Sequence, residues 1–253
     1  RASFLPRTFN DVDGRYPSFS TGHPFRQSAN GRNYYEDYSM WDTYRALHPL
    51  INILTPKKAG DMMQSLVDKY EQGGWLPIFP CWNSYTAAMI GDHCISALGD
   101  AYIKGIRNFD INKACEGMLR NAFKTPSTYE EYKNGMGRRA LNSYLKYGYI
   151  PLEDSVPEAF HTCEQVSRTL EYAYDDFCGY QLAKMTGNKH YQEVFARQMY
   201  NYKNVFDPSI GFMRGKGADG KWQEPFDPLE WGGPFCEGNA WHYTWSVFHD
   251  VEG

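Results

Sequence analysis

Residues 162–186 read TCEQVSRTLEYAYDDFCGYQLAKMT, and within them Val166, Leu170, Ala173, Tyr174 and Phe177 recur at helical intervals. Thr162 and Gln165 have the spacing of a capping box, and Gly187 follows as a terminator. The run therefore predicts one long helix. Asn188 then caps a second, with Tyr191, Phe195, Met199, Tyr202 and Phe206 on one face. Two helices joined by so short a link imply an antiparallel pair.

Upstream the same pattern repeats. SMWDTYRALHPLINIL, from Ser39 to Leu54, predicts a helix; Thr55-Pro56 opens the next with a cap and a proline at the first helical position. Met62, Met63, Leu66, Val67 and Tyr70 form its apolar stripe, and Gly73-Gly74 ends it. Further helices are expected over Thr86–Lys104, Asp110–Phe123 and, less regularly, Ser127–Lys146. Asp219-Gly220 predicts a hairpin turn within GFMRGKGADGKWQEPF, and EGNAWHYTWSVFHD reads as a last helix, aromatic at Trp241, Trp245 and Phe248. About eight helices without an alternating strand pattern give an all-α class. Antiparallel helical hairpins point to a toroid, and a closed ring of six pairs needs about twelve helices. Residues 39–253 thus predict either a smaller all-α array or, as the favoured reading, an incomplete toroid, led by an irregular Gly-, Pro- and Asn-rich segment at 1–38.

Composition narrows the function. The chain has 253 residues with a net charge of −4 from 26 basic and 30 acidic side chains, so no basic stripe is available for nucleic acid. No apolar run is long enough to span a membrane, and RASFLPRTFNDVDG holds no signal-peptide core. Aromatic residues make up 17% of the chain, enough either to fill a large core or to stack on sugar rings. The six cysteines show no CxxC and no metal-type spacing; Cys94 and Cys178 fall among apolar helical residues, so structural thiols are expected, with disulfides left open.

Motif searches exclude more than they find. GxSxG, HExxH, phosphate loops and GxGxxG are all absent. His242 and His249 have no third ligand beside them, and DVDG at Asp11 to Gly14 lacks the later ligands of a calcium loop and reads as a turn. Carboxylates beside aromatic residues are more informative. Glycoside hydrolysis needs one protonated carboxylic acid at the leaving oxygen and one carboxylate across the sugar. Glu237, before Asn239, Trp241 and Trp245, reads equally as such an acid, its pKa raised by flanking rings, or as a charge favouring a helix start. Asp42, beside Trp41, carries the same two readings. Asp175 and Asp176 are adjacent and point about 100° apart, so they cannot face each other as a catalytic pair. Glu171 could hold a sugar hydroxyl or an arginine equally well.

Seven strings, taken together and in order, are similar to glycoside hydrolase family 92. They are RTFNDVDGRY, YSMWDTYRALHPL, GGWLPIFPCWNSYTAAMIGDH, DAYIKGIRNFD, TLEYAYDDFCGYQLAK, NYKNVFDPSIGFMR and EGNAWHYTWSVFHDVEG. The resemblance implies a calcium-dependent, inverting exo-α-mannosidase with a β-sandwich followed by an (α/α)6 barrel, and an enzyme that works in the secreted or periplasmic space on mannose-containing glycans. It implies Glu237 as the general acid and Asp42 as a residue holding the terminal mannose. Trp41 and Arg45 are expected to support the site, with Glu171 behind them and Asn239 beside the acid. The family's general base sits in a Gly-Asn-Asp-type segment followed by Gly-Gln-Met-Ser, which these residues lack. Most calcium ligands and the sandwich are missing as well, so the 253 residues alone are expected to show no turnover. Two alternatives stand: a non-catalytic carbohydrate-binding module on the same toroid, and a different toroid glycosidase of trehalase-like type.

Overall fold

The computed structural model describes residues 6–253, so the first five residues of the expected lead-in lie outside the described residues. Two compact units divide at Arg138/Arg139. The lead-in is more ordered than its composition suggests. Strand β1 (Arg7–Thr8) pairs antiparallel with β4 (Tyr35–Glu36), and β2 (Arg15–Pro17) pairs with β3 (Phe25–Gln27). DVDG forms a turn, closed by Gly14 N donating to Asp11 O at 2.9 Å and Asp11 N to Arg15 O at 2.8 Å.

The remainder of the first unit is helical. The helix expected over Ser39–Leu54 is instead two, α1 (Met40–Thr43) and α2 (Leu47–Leu54). Pro49 gives the reason: with no N–H it fits only the first turn, so the helix restarts two residues before it. Helix α3 (Pro56–Gly73) begins and ends as expected, with proline at its first position and Gly74 left-handed at φ 87°. Thr55 flanks it without a side-chain cap, its hydroxyl donating back to Ile51 O at 3.3 Å.

Helix α3 is buried beyond its apolar stripe, because α2, α4 (Cys94–Ile103), α5 (Ile111–Phe123) and β4 surround it. Its Lys69 is fully buried in an ion pair with Glu36 at 2.7 Å, donates to Tyr35 O at 2.6 Å and lies 4.1 Å from the Tyr34 ring centroid. Desolvation lowers the Lys69 pKa, opposed by the Glu36 carboxylate. Helix α5 is capped by Asp110, which accepts from Asn112 N and Lys113 N. The helix expected from Thr86 exists only from Cys94. Gly91 at φ 87° interrupts the backbone before it, and the Asp92 side chain is drawn into tertiary bonds with Arg138 and Asn121. The less regular run after Ser127 resolves into α6 (Tyr129–Lys133), with a Thr128–Glu131 capping box, and, in the second unit, α7 (Leu141–Tyr147); Gly135 and Gly137 at positive φ separate them.

The second unit centres on α8 (Gln165–Met185) packed on α9 (Lys189–Gln198). A Cβ on Gly179 would stand 3.0 Å from the Phe195 ring, which is why the two helices approach so closely there. The expected capping box of α8 is not formed. Glu164, at φ 59°, holds the cap position, while the Thr162 hydroxyl contacts Cys163 Sγ. Helix α9 stops at Gln198, and a 3-10 turn over Asn201–Val205 leads to β5 (Phe206–Asp207), paired with β6 (Phe212–Met213). The Asp219-Gly220 turn is present, but its flanks meet in a single Lys216–Trp222 bridge. The expected last helix shrinks to one turn, α10 (Ala240–Tyr243), and Trp241, Trp245 and Phe248 are exposed. The class is all-α, with ten α-helices among the described residues, and all six cysteines are free.

Candidate active site

Glu237 lies in neither a helix nor a strand. It is an exposed residue at φ 46°, a left-handed conformation that costs a non-glycine residue roughly 1–2 kcal/mol. Both sides of this corner are clamped. On the N-terminal side the buried Cys236 donates its N–H to Ser167 Oγ of α8 at 2.9 Å, and its carbonyl accepts from the Tyr243 hydroxyl at 2.6 Å. Pro234 O accepts from Val166 N and Ser167 N, so the loop is wrapped onto the first turn of α8. On the C-terminal side Gly232 N donates to Gly238 O at 2.8 Å.

Asn239 completes the clamp. As cap of α10 it accepts from His242 N at 3.4 Å, donates to Leu229 O at 3.3 Å, and its own N–H reaches His242 Nδ1 at 3.2 Å. Its side chain is thereby used in holding the backbone next to Glu237. Glu237 itself precedes that cap by two residues, outside the first turn of a four-residue helix, so helix-start electrostatics is a weak account of it. The desolvation expected from flanking rings is also not realised by these residues: Trp241 and Trp245 are 50% and 76% exposed.

Charge gathers behind the corner. Burial pushes the Cys236 thiol up to about 12, with Glu164 adding to it, Arg168 opposing, and Glu237 and Glu171 contributing further. Three carboxylates, Glu164, Glu237 and Glu171, thus stand within electrostatic reach of the thiol. Burial of Glu164 favours its neutral form, but hydrogen bonding from His161 at 3.2 Å and the charge of Arg168 outweigh this and lower its pKa. Glu171 is buried on α8.

In the first unit, Asp42 is exposed on α1. Trp41 is half-buried and its carbonyl accepts from Arg45 Nε at 3.2 Å. The Arg45 guanidinium lies 5.0 Å from the Trp41 ring and 4.8 Å from that of Tyr44, and Tyr44 in turn stacks on buried His93 at 3.8 Å. Arg45 and Trp41 thus brace each other beside Asp42. Among the described residues no group of three or more His, Cys, Asp or Glu side chains gathers where it could hold a metal ion. Among the described residues, no helix is long and apolar enough to cross a membrane.

Sequence reading missed Ser167, Cys236 and Tyr243 as supports of Glu237. Tyr243 had a signal, lying within one helical turn of the Asn239 cap; Ser167, about 70 positions away, had none.

Comparison with known proteins identifies the family. The model of the glycosyl hydrolase family 92 catalytic domain matches residues 1–253. Among solved structures, the family GH92 alpha-mannosidase BT3965 from Bacteroides thetaiotaomicron is 32% identical, with a TM-score of 0.84, over 96% of this chain and 30% of its own; it has also been solved with mannoimidazole. The family GH92 inverting mannosidase BT2199 from the same species is 35% identical, with a TM-score of 0.84, over 97% of this chain and 32% of its own. A secreted glycosidase of uncharacterised activity from Arthroderma benhamiae is 31% identical over 68% of this chain and 22% of its own length. The chain therefore spans less than a third of each of these relatives. On this evidence the chain belongs to the glycosyl hydrolase family 92 catalytic domain family, with the helical (α/α)6-type fold expected from its sequence.

Proposed function

We propose that this chain is part of an exo-α-mannosidase that removes terminal α-linked mannose from glycans outside the cytoplasm, with inversion, and that Glu237 is its general acid. The observation that carries this reading is an exposed carboxylate fixed on a left-handed corner by bonds to both flanking residues. Backbone strain of this kind persists only where the surroundings over-determine it, and it concentrates at functional sites. The solved relatives described above are mannosidases, and one of them has been solved in complex with mannoimidazole, which supports mannose as the sugar.

In the proposed reaction the Glu237 carboxylic acid gives its proton to the glycosidic oxygen as the bond to the anomeric carbon breaks. A carboxylate across the ring, expected about 6.5–9.5 Å away, takes a proton from the attacking water. Asp42 would accept hydroxyl hydrogens of the terminal mannose, Trp41 and Arg45 would hold that residue in place, and Asn239 and Glu171 would act through Glu237's surroundings. Calcium, which the family resemblance implies, would take the sugar's 2- and 3-hydroxyls as ligands and help distort the ring.

The test is Glu237→Gln in the full-length protein, assayed on a mannobiose and on an aryl α-mannoside with an activated leaving group. Mannobiose hydrolysis should fall by about 10²- to 10⁴-fold and aryl mannoside hydrolysis by less, because a good leaving group needs little protonation. Undiminished mannobiose hydrolysis would remove Glu237 from the role. Activity that persists in excess chelator would remove calcium.

A further inference from the structure

The residues Cys81-Trp82-Asn83-Ser84 of the first unit form a two-residue turn whose corners are both left-handed, Trp82 at φ 56° and Asn83 at φ 54°. Cys81 N donates to Ser84 O at 3.3 Å and Ser84 N to Cys81 O at 3.1 Å, closing it as a minimal hairpin. Asparagine and glycine are the residues such corners favour. Asn83 fits that rule; tryptophan at positive φ is an outlier.

Instead of relaxing, the turn is braced from three sides. Trp82 N donates to Asp37 Oδ1 at 3.2 Å, and Asp37, itself at φ 61°, is ion-paired with Arg7. Tyr38 N donates to Pro80 O at 3.0 Å. Asn83 turns inward, only 7% exposed, and its Nδ2 donates to Pro17 O at 3.2 Å and Ser18 O at 3.0 Å. The ring carried by this rigid turn is nevertheless 81% exposed. Packing does not account for it, since burial is what normally stabilises a tryptophan.

Beside the turn lies a cleft of about 540 Å³ whose lining includes Asn83, Ser20, Thr21, His23 and Glu131. Its polar groups are hydroxyls, an imidazole, the amides of Asn83 and Gln72, and one carboxylate. The turn shares Asn83 and Ser84 with this cleft, and an exposed flat ring carried on the same turn suits a pyranose, which presents an apolar C–H face to an aromatic ring and hydroxyls at its edge.

We propose that Trp82 is the stacking platform of a glycan subsite, with the hydroxyls of the bound sugar directed to the cleft beside Asn83. The choice of a mannose probe rests on the mannosidase reading above. The pyranose class rests on the turn and the cleft.

The experiment is oxidation of the full-length protein by N-bromosuccinimide, with peptide mapping by mass spectrometry, in the absence of sugar and with saturating α-mannotriose or maltotriose. Trp82 should be oxidised readily without sugar and protected saturably by mannotriose. Trp82→Asn, which suits the left-handed corner, should weaken mannotriose binding about three- to tenfold, the share of one aromatic stack. It should also leave the melting temperature unchanged or raised, so lost binding cannot be ascribed to misfolding. Protection by maltotriose alone would keep the subsite and sink mannose as its sugar. A Trp82 that neither sugar protects, or one already unreactive because another part of the protein covers it, overturns the proposal.

Discussion

The Tyr243 hydroxyl donates to the Cys236 carbonyl at 2.6 Å, one residue before Glu237. Tyr243 therefore sets the direction in which Glu237 leaves the backbone. Tyr243→Phe leaves a buried carbonyl unpaired, which costs about 1–3 kcal/mol of stability. If Glu237 must be placed to within an ångström, kcat on mannobiose should fall about 10- to 100-fold, with KM little changed. An activated aryl mannoside should lose less, because it depends less on the acid. Equal losses on both substrates would mark Tyr243 as a general support of the fold and not a positioning residue for the acid. Ser167→Ala, which releases the Cys236 N–H, should repeat the pattern.

Glu237→Gly makes the opposite case at the same corner. Glycine adopts φ 46° without steric cost, so the variant should be more stable by about 0.5–1 kcal/mol while losing mannobiose hydrolysis. Thermal unfolding measures this directly. A lower melting temperature would mean that the Glu237 side chain makes contacts worth more than the strain.

These two predictions mark where sequence reading stops. Helices α3, α5 and α9 were legible because their signals are local: a proline at the first position of α3 and Gly73-Gly74 at its end, and Asp110 and Asn188 as caps of the other two. The class followed from them. The left-handed turn at Glu237 was not legible, since Glu has no preference for positive φ and the corner is imposed by Ser167 and Tyr243. Segment 86–93 misled for a related reason, its helical periodicity overridden by Gly91 and by the tertiary bonds of Asp92. The burial of Trp241 and Trp245 could not be read from the sequence; both are exposed, because a four-residue α10 presents no continuous face for packing. Glu237 could be singled out from its aromatic neighbours and the family strings. What holds it could only be seen in three dimensions.

His48 gives a prediction about pH. It is 1% exposed on α2, its ring 6.0 Å from that of Tyr38, and burial lowers its pKa to about 4, with Asp100 opposing. In the unfolded chain it titrates near 6.5. Between those values the unfolded state binds more protons, so stability is lost as pH falls from about 6.5 towards 4. The His48 share reaches roughly 3 kcal/mol at the acid end. Urea unfolding of wild type and His48→Gln across this range should show a shallower acid loss in the variant. Parallel curves would mean that His48 is already charged in the folded protein.

The Asp92–Arg138 pair tests the segment that failed to become helix. Arg138 Nε donates to Asp92 Oδ2 at 2.9 Å with both side chains buried, and Asn121 Nδ2 donates to Asp92 Oδ1 at 2.9 Å, so the carboxylate ties Gly91–His93 to α5 and to the end of the first unit. Arg138→Met removes the cation and leaves a buried carboxylate uncompensated, which should cost about 3–5 kcal/mol. Adding Asp92→Asn removes the charge that made the loss so large, so the double variant should recover part of it. Denaturation of the two single variants and the double variant closes a cycle that isolates the pair. A double variant no more stable than Arg138→Met would show that Arg138 holds the segment by packing, and that the charge of Asp92 is not what keeps residues 86–93 out of a helix.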